Sequence, residues 1–252
     1  MIVLSAPGCS VKQPHQVAIA SAHPLATQAG FEILHKGGNV YDAAVAVSAA
    51  LAVVEPSGSG LGGGGFWLLH RESDGLDIMV DGREKAPLAA HQDMYLDASG
   101  QVLSALSLNG ALAAGIPGMP AGLVHLSKKY GKLSLAESLQ PAIRYAEQGF
   151  EIDVRHQKLL ALRKEVLNQD AATAAIFLTQ GQLPAKGSLL VQTDLAGTLK
   201  QLAAYGQAGF YRGTVADQLV QSVQQGGGIW RLDDLSSYQV LERQPVSGSY
   251  KG

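Results

Sequence analysis

GGNVYDAAVAVSAALAVVEPSGSGLGGGGFWLLHRESDGLDIMVDGREKAP, residues Gly37 to Pro87, holds three signals in succession. The first is a helix. Asn39 is placed to cap it, with Asp42 three residues on to complete a capping-box pair. From Ala43 to Val54 the only polar residue is Ser48, and a helix apolar all round is a buried one. The second is a glycine run, Gly58 to Gly65, interrupted by Leu61. The third is a hairpin: a strand over Phe66 to Glu72, a Ser73-Asp74-Gly75 turn, and a returning strand from Asp77 to about Arg83. Asp-Gly between two apolar runs predicts a hairpin, because glycine accepts positive φ without a steric penalty. Arg83 stands at the strand's end, shortly before Pro87.

Outward from this stretch, composition bounds the answer. The chain has 252 residues, 46% hydrophobic and 16% charged, enough for one large domain or two small ones with a sizeable core. Lys and Arg number 19 against 21 Asp and Glu, with no basic stripe, which argues against a nucleic-acid partner. The apolar run Ala43 to Val54 has twelve residues. At about 1.5 Å per residue it spans roughly 18 Å, short of the ~30 Å of a bilayer core, so no transmembrane segment is expected. One cysteine, Cys9, excludes an internal disulfide framework and a cysteine metal site. The seven histidines show no i, i+4 pair. No cofactor or metal is called for.

The opening residues Met1 to Cys9 are apolar and then small. They read equally as the tail of a shortened export signal, of lipoprotein type ending at Cys9, or as a disordered or appended N-terminus. Ala6 stands where lipoprotein signals prefer Leu or Val, and no basic region precedes the apolar run, so the signal is expected to be incomplete. The domain division expected is therefore a flexible N-terminus or signal remnant over residues 1–16 and one incomplete domain over 17–252.

The remaining elements follow local signals. Val17 to Ser21 reads as a short strand stopped by His23-Pro24, and a helix runs from about Leu25 to His35, closed by Gly37-Gly38. Asp93 to Leu96 is a short element followed by a turn, and Gly110 to Gly122 reads as a segment packed close against other backbone. Ser134 and Glu137 form a capping box opening a helix to about Gln148, with a kink expected at Pro141 and an end at Gly149. Asp153 caps a partly solvated helix to about Asn168, while Ala171 to Gly187 gives no clear signal. Helices are predicted from Asp194 to Tyr205 and from Thr214 to Gln225, with a short one at Asp233-Asp234-Leu235 where Asp233 is the expected cap. Tyr238 to Arg243 alternates as a strand, and Val246 to Tyr250 begins another. A chain end at Gly252 in mid-sheet would leave backbone groups unpaired, so the chain is expected to be part of something longer.

Few residues offer chemistry. Arg83 can grip a planar carboxylate with two parallel hydrogen bonds, or it can serve as a structural ion pair to Glu84, Asp81 or another acid. The glycine run follows a helix and opens a strand, with Phe66-Trp67 after it and no Lys-Ser or Lys-Thr, so it is not a phosphate loop. It reads as a close approach of two backbones. Neither Ser57 nor Ser59 lies in a nucleophile elbow. Glu55, alone after the buried helix, is expected to pair with a backbone amide or an arginine.

Several pieces resemble the large-subunit part of the gamma-glutamyltransferases, in the family's order and at compatible spacing. They are Gly37-Gly38-Asn39 with Asp42-Ala43-Ala44, Pro56 with Gly60 to Phe66, Asp81-Gly82-Arg83-Glu84 with Ala86-Pro87, and Gly115-Ile116-Pro117-Gly118. Phe210-Tyr211-Arg212-Gly213, Gly227-Gly228 with Asp234-Leu235 and Tyr238, and Arg243-Gln244-Pro245 with Tyr250-Lys251-Gly252 continue it. The resemblance implies an α+β fold of the N-terminal-nucleophile hydrolase type, two stacked sheets between helical layers (αββα), of which this is the large-subunit portion. It implies that Arg83 binds the α-carboxylate of a γ-glutamyl donor such as glutathione. It implies a periplasmic or secreted enzyme whose nucleophile is a threonine in a Thr-Thr-His-type segment, exposed when the precursor cuts itself. Thr173, Thr179, Thr193, Thr198 and Thr214 all lack that context. The nucleophile is therefore expected in a partner small subunit, and this chain alone is expected to be inactive. Two other readings stand beside this one: a same-fold acylase acting on a cephalosporin or poly-γ-glutamate amide, and a non-catalytic binding domain without the nucleophile half.

Overall fold

The computed structural model describes residues 17–251. The expectations for residues 1–16, Cys9 included, lie outside it. Helix α1 (Pro24–His35) and helix α2 (Val40–Val54) open the described chain. Asn39 accepts the N–H groups of Tyr41 and Asp42, and Asp42 accepts the N–H of Asn39, so the expected capping box is present. Val45, Val53 and Val54 of α2 are fully buried. Each such side chain contributes about 1.5–3 kcal/mol of burial. The helix packs against α1 on one side and against α4 (Leu135–Gln148) on another, and α4 packs in turn on α7 (Thr193–Tyr205).

The hairpin joins β1 (Gly65–Arg71) to β2 (Leu76–Gly82), antiparallel, with Gly65 opposite Gly82 and Trp67 opposite Val80. Gly75 takes φ +65 at its turn, and Arg71 clamps Asp74 through two hydrogen bonds of 2.8 and 2.6 Å. Strand β5 (Leu241–Arg243) completes a three-stranded sheet in the order β1-β2-β5. Trp67, Leu69, Ile78 and Val80 alternate onto the core, whereas Phe66 and Leu68 face outward, 54% and 71% exposed. A second, two-stranded ribbon pairs β3 (Phe150–Glu151) with β4 (Leu189–Leu190).

Ser134 and Glu137 form the second capping box, α4 runs through Pro141, and Gly149 ends it at φ +80. Asp153 caps α5 (Val154–Leu167), in which only His156 and Leu160 are buried. Two expected strands are absent, and two stretches without an assigned element acquire helices. Val17 to Ser21 carries no ladder. A helix α3 (Met119–Tyr130) begins inside the Gly110 to Gly122 segment, whose expected close packing against other backbone is present at Gly118. The unreadable stretch contains α6 (Ala171–Phe177). Val246 to Tyr250 forms no strand, and Val246 is 99% exposed. The chain also makes α8 (Ala208–Tyr211), α9 (Gly213–Gln225) and α10 (Leu232–Ser236). No helix among the described residues is long and apolar enough to cross a membrane.

Candidate functional site

Arg83 follows directly on β2, and three distant segments meet around it. The backbone is closely packed at this strand exit. A Cβ on Gly82 would meet Trp67 Cζ3 at 2.8 Å, and one on Gly118 would meet the Gly82 carbonyl at 2.1 Å. Only glycine permits these two backbones to approach so closely. The glycine run behaves in the same way. A Cβ on Gly64 would lie 2.5 Å from the Gly82 carbonyl and 2.8 Å from the Glu84 nitrogen. The carbonyl of Gly63 accepts the N–H groups of Gly118 and Met119, both at 2.9 Å, which ties the run to the start of α3.

The peptide of Arg83 is held on both sides. Its N–H donates to Asp81 Oδ1 at 3.0 Å, and its carbonyl accepts from Tyr238 Oη at 2.7 Å. Asp81 Oδ2 accepts Arg243 Nε at 2.7 Å, so Asp81 pairs with β5 and leaves the Arg83 guanidinium alone. Burial raises the Asp81 pKa, but the Arg243 hydrogen bond and the Arg83 N–H outweigh it and hold the carboxyl below its ordinary value. Beyond Arg83, Lys85 bridges to Ile116 through paired backbone hydrogen bonds of 3.2 and 2.7 Å.

The Arg83 side chain is 65% exposed and approaches one acid, Glu84, with Nη1 3.2 Å from Oε2. That approach lacks hydrogen-bond geometry, and Glu84 Oε2 is buried without a hydrogen-bond partner. Of the acids expected as structural partners, Asp81 is taken by Arg243 and Glu84 alone approaches the guanidinium among the described residues. The guanidinium thus points its remaining donors outward, from a main chain fixed on both sides.

Tyr238 lies 155 residues from Arg83 along the chain, and no local signal in the sequence marks the two as neighbours. Its ring stacks on Tyr211 at 5.6 Å with an interplanar angle of 12°, and Lys85 Nζ lies 4.9 Å over it. Burial, reinforced by the negative charges of Asp81 and Glu84, pushes its pKa up to about 12. Tyr211 is raised further by its own burial, and its hydroxyl donates to the Pro117 carbonyl at 2.8 Å while accepting from the Ala121 N–H.

Other singled-out residues lie apart from this cluster. Glu55 pairs with Arg155 at 2.9 Å, one of the expected alternatives. Asp234, rather than Asp233, is the buried acid of α10, accepting the N–H groups of Leu88 and Arg231 at 2.6 Å each. Two adjacent acids offer the same side-chain chemistry, and only the direction of the following helix selects between them. A cleft of about 890 Å³ opens between α7, α8 and α9, lined by Gln201, Tyr205 and Arg212 among others, and Arg83 takes no part in it.

The family model described as Gamma-glutamyltranspeptidase matches residues 26–252. The chain is 43% identical over 235 residues to the glutathione hydrolase proenzyme of Pseudomonas sp. (strain A14), an alignment covering 93% of this chain and 41% of that protein. It is 43% identical over 238 residues to the glutathione hydrolase proenzyme of Escherichia coli (strain K12), again covering 41% of the relative. Among solved structures, the gamma-glutamyltranspeptidase of Helicobacter pylori superposes with a TM-score of 0.92 at 42% identity, covering 96% of this chain and 69% of that one. The chain therefore spans about two fifths of the length of these two curated relatives.

Proposed function

The chain belongs to the gamma-glutamyltranspeptidase family and has its N-terminal-nucleophile hydrolase fold, and from that premise we propose that it is the large-subunit portion of an enzyme that cleaves γ-glutamyl amides. The donor is a γ-glutamyl compound such as glutathione. The observation that carries this reading is Arg83, an open guanidinium on a doubly held peptide. Such a group binds an α-carboxylate with two charge-assisted hydrogen bonds, and so orients the γ-carbonyl for attack.

The chemical step belongs to a partner segment that carries the threonine. Its hydroxyl adds to the γ-carbonyl and gives its proton to the threonine's own α-amine. The amide C–N bond then breaks, the leaving amine takes that proton, and a γ-glutamyl-enzyme ester remains. Water or an amino acid attacks the ester, and the γ-glutamyl group passes to it as the threonine hydroxyl is restored. The outward apolar side chains Phe66 and Leu68 support this division of labour, because a second sheet stacked on β1 and β2 would cover them. No cofactor enters the scheme. The family's usual setting, periplasmic or secreted, is the location proposed.

The test compares the intact enzyme with this chain alone on a chromogenic γ-glutamyl anilide. The intact enzyme is expected to release the chromophore, and the chain alone is expected to stay at the blank. Release by the chain alone would place the nucleophile here and overturn the division of labour. A donor panel including a cephalosporin side-chain amide and poly-γ-glutamate checks the substrate class. A preference for either over the γ-glutamyl anilide and glutathione would replace the donor named here.

A further inference from the structure

The two hydrogen bonds on the Arg83 peptide differ in reach. Asp81, two residues back, takes the N–H as the chain leaves the strand. Tyr238, two residues past the end of α10, reaches the carbonyl. Among the described residues it makes the one hydrogen bond tying Arg83 to a distant part of the chain. The guanidinium itself donates no hydrogen bond within this set, so its direction depends on how its main chain is held.

We propose that Tyr238 is a positioning residue for donor binding: its hydroxyl fixes the Arg83 peptide and thereby aims the guanidinium at the donor's carboxylate. The proposal rests on the reading of Arg83 given above. Tyr238 is itself set by groups that do not touch the guanidinium. Its ring lies parallel to Tyr211, whose hydroxyl is anchored to Pro117. Its carbonyl accepts Gln207 Nε2 at 2.9 Å, and the Lys85 ammonium sits over its ring. Gly118 leaves the space its hydroxyl needs, since a Cβ there would lie 2.2 Å from Tyr238 Oη. Burial keeps the phenol protonated well above neutral pH, so the donor is present throughout the working range. A small rotation of the Arg83 peptide is magnified along the long arginine side chain. Misaiming of that kind weakens capture of the carboxylate without entering the chemical step.

The experiment is Tyr238→Phe in the intact enzyme, alone and combined with Arg83→Ala. The single variant is expected to raise KM for the γ-glutamyl donor roughly 2- to 10-fold, the worth of one hydrogen bond, with kcat changed by less than about twofold. In the Arg83→Ala background the same change is expected to leave KM where it is, because there is no guanidinium to aim. If Arg83→Ala alone leaves KM unchanged, the reading of Arg83 fails, and with it the basis for Tyr238. If Arg83→Ala raises KM and Tyr238→Phe does not, the positioning role fails while Arg83 stands. An equal rise from Tyr238→Phe with and without Arg83 also overturns it, as a structural effect. Should Tyr238→Phe not fold, a fluorinated tyrosine of lowered pKa at position 238 keeps the ring in place. KM must then rise with pH through its ionisation, relative to the natural enzyme, and a flat profile overturns the proposal.

Discussion

The carboxylate of Asp42 accepts the backbone N–H of Lys132 at 2.9 Å, joining the first turn of α2 to the loop between α3 and α4. The same side chain accepts the N–H groups of Asn39 at 2.8 Å and Leu133 at 3.3 Å, and it is fully buried. Asn39 completes the junction by donating Nδ2–H to the Tyr130 carbonyl at 2.7 Å. Asp42→Asn replaces one acceptor oxygen with a donor that faces N–H groups. The expected loss is about 2–4 kcal/mol of unfolding free energy, measured by urea denaturation. A loss within experimental error would mean that the junction contributes only shape.

Arg83 is exposed and makes no hydrogen bond through its guanidinium among the described residues, so its removal should cost little stability. Arg83→Ala in the intact enzyme is expected to raise KM for γ-glutamyl donors roughly 10- to 100-fold, the worth of a charge-assisted hydrogen-bonded pair. Arg83→Lys keeps the charge and loses the two-pronged geometry, and should fall between. An unchanged KM in steady-state kinetics would remove Arg83 from the donor site.

Glu242 on β5 accepts from His125 Nε2 at 2.7 Å and Tyr130 Oη at 2.7 Å, and pairs with Lys129. Burial acts to raise its pKa, but the hydrogen bonds from Lys129, Tyr130 and His125 outweigh it and bring the value down to about 2 from 4.5. A depressed folded pKa means that the stabilisation is complete above pH 4.5 and lost as pH falls toward 2. The natural chain should therefore lose about 2 kcal/mol through this group across that window, after allowance for solvent screening. Glu242→Gln should flatten the acid limb of a stability-versus-pH curve between those values, and an unchanged limb would show that other carboxylates dominate.

Legibility in the sequence followed locality. Both capping boxes were readable because cap and partner lie three residues apart, at Asn39 and Asp42 and at Ser134 and Glu137. The hairpin was readable from alternation around Asp74-Gly75. Helix α3 was hidden because Gly118 and Gly122 are required by neighbours far along the chain; a Cβ on Gly122 would lie 2.3 Å from the Trp67 ring. Val246 to Tyr250 was expected to begin a strand, but a strand also needs a paired neighbour, and both Val246 and Tyr250 face solvent. At the site, Arg83 stood out by residue type and resemblance. The Tyr238 and Arg243 contacts span 155 and 162 residues, and no local pattern carries such a distance.

The glycine run is where fold and site constrain each other, and its members should not tolerate substitution equally. A Cβ on Gly64 would press on the Gly82 carbonyl at 2.5 Å and the Glu84 nitrogen at 2.8 Å, and Arg83 lies between those two residues. Both obstacles are backbone, so relief requires the strand exit to shift, and Arg83 shifts with it. A Cβ on Gly62, in the same run, meets nothing within 4 Å. Gly64→Ala is therefore expected to cost about 1–3 kcal/mol of stability and to raise donor KM, whereas Gly62→Ala should stay within about 0.5 kcal/mol of the natural protein. Thermal melts with parallel donor kinetics distinguish the two. If both variants behave alike, the run is a flexible connection, and the close approach at Gly64 does not set the position of Arg83.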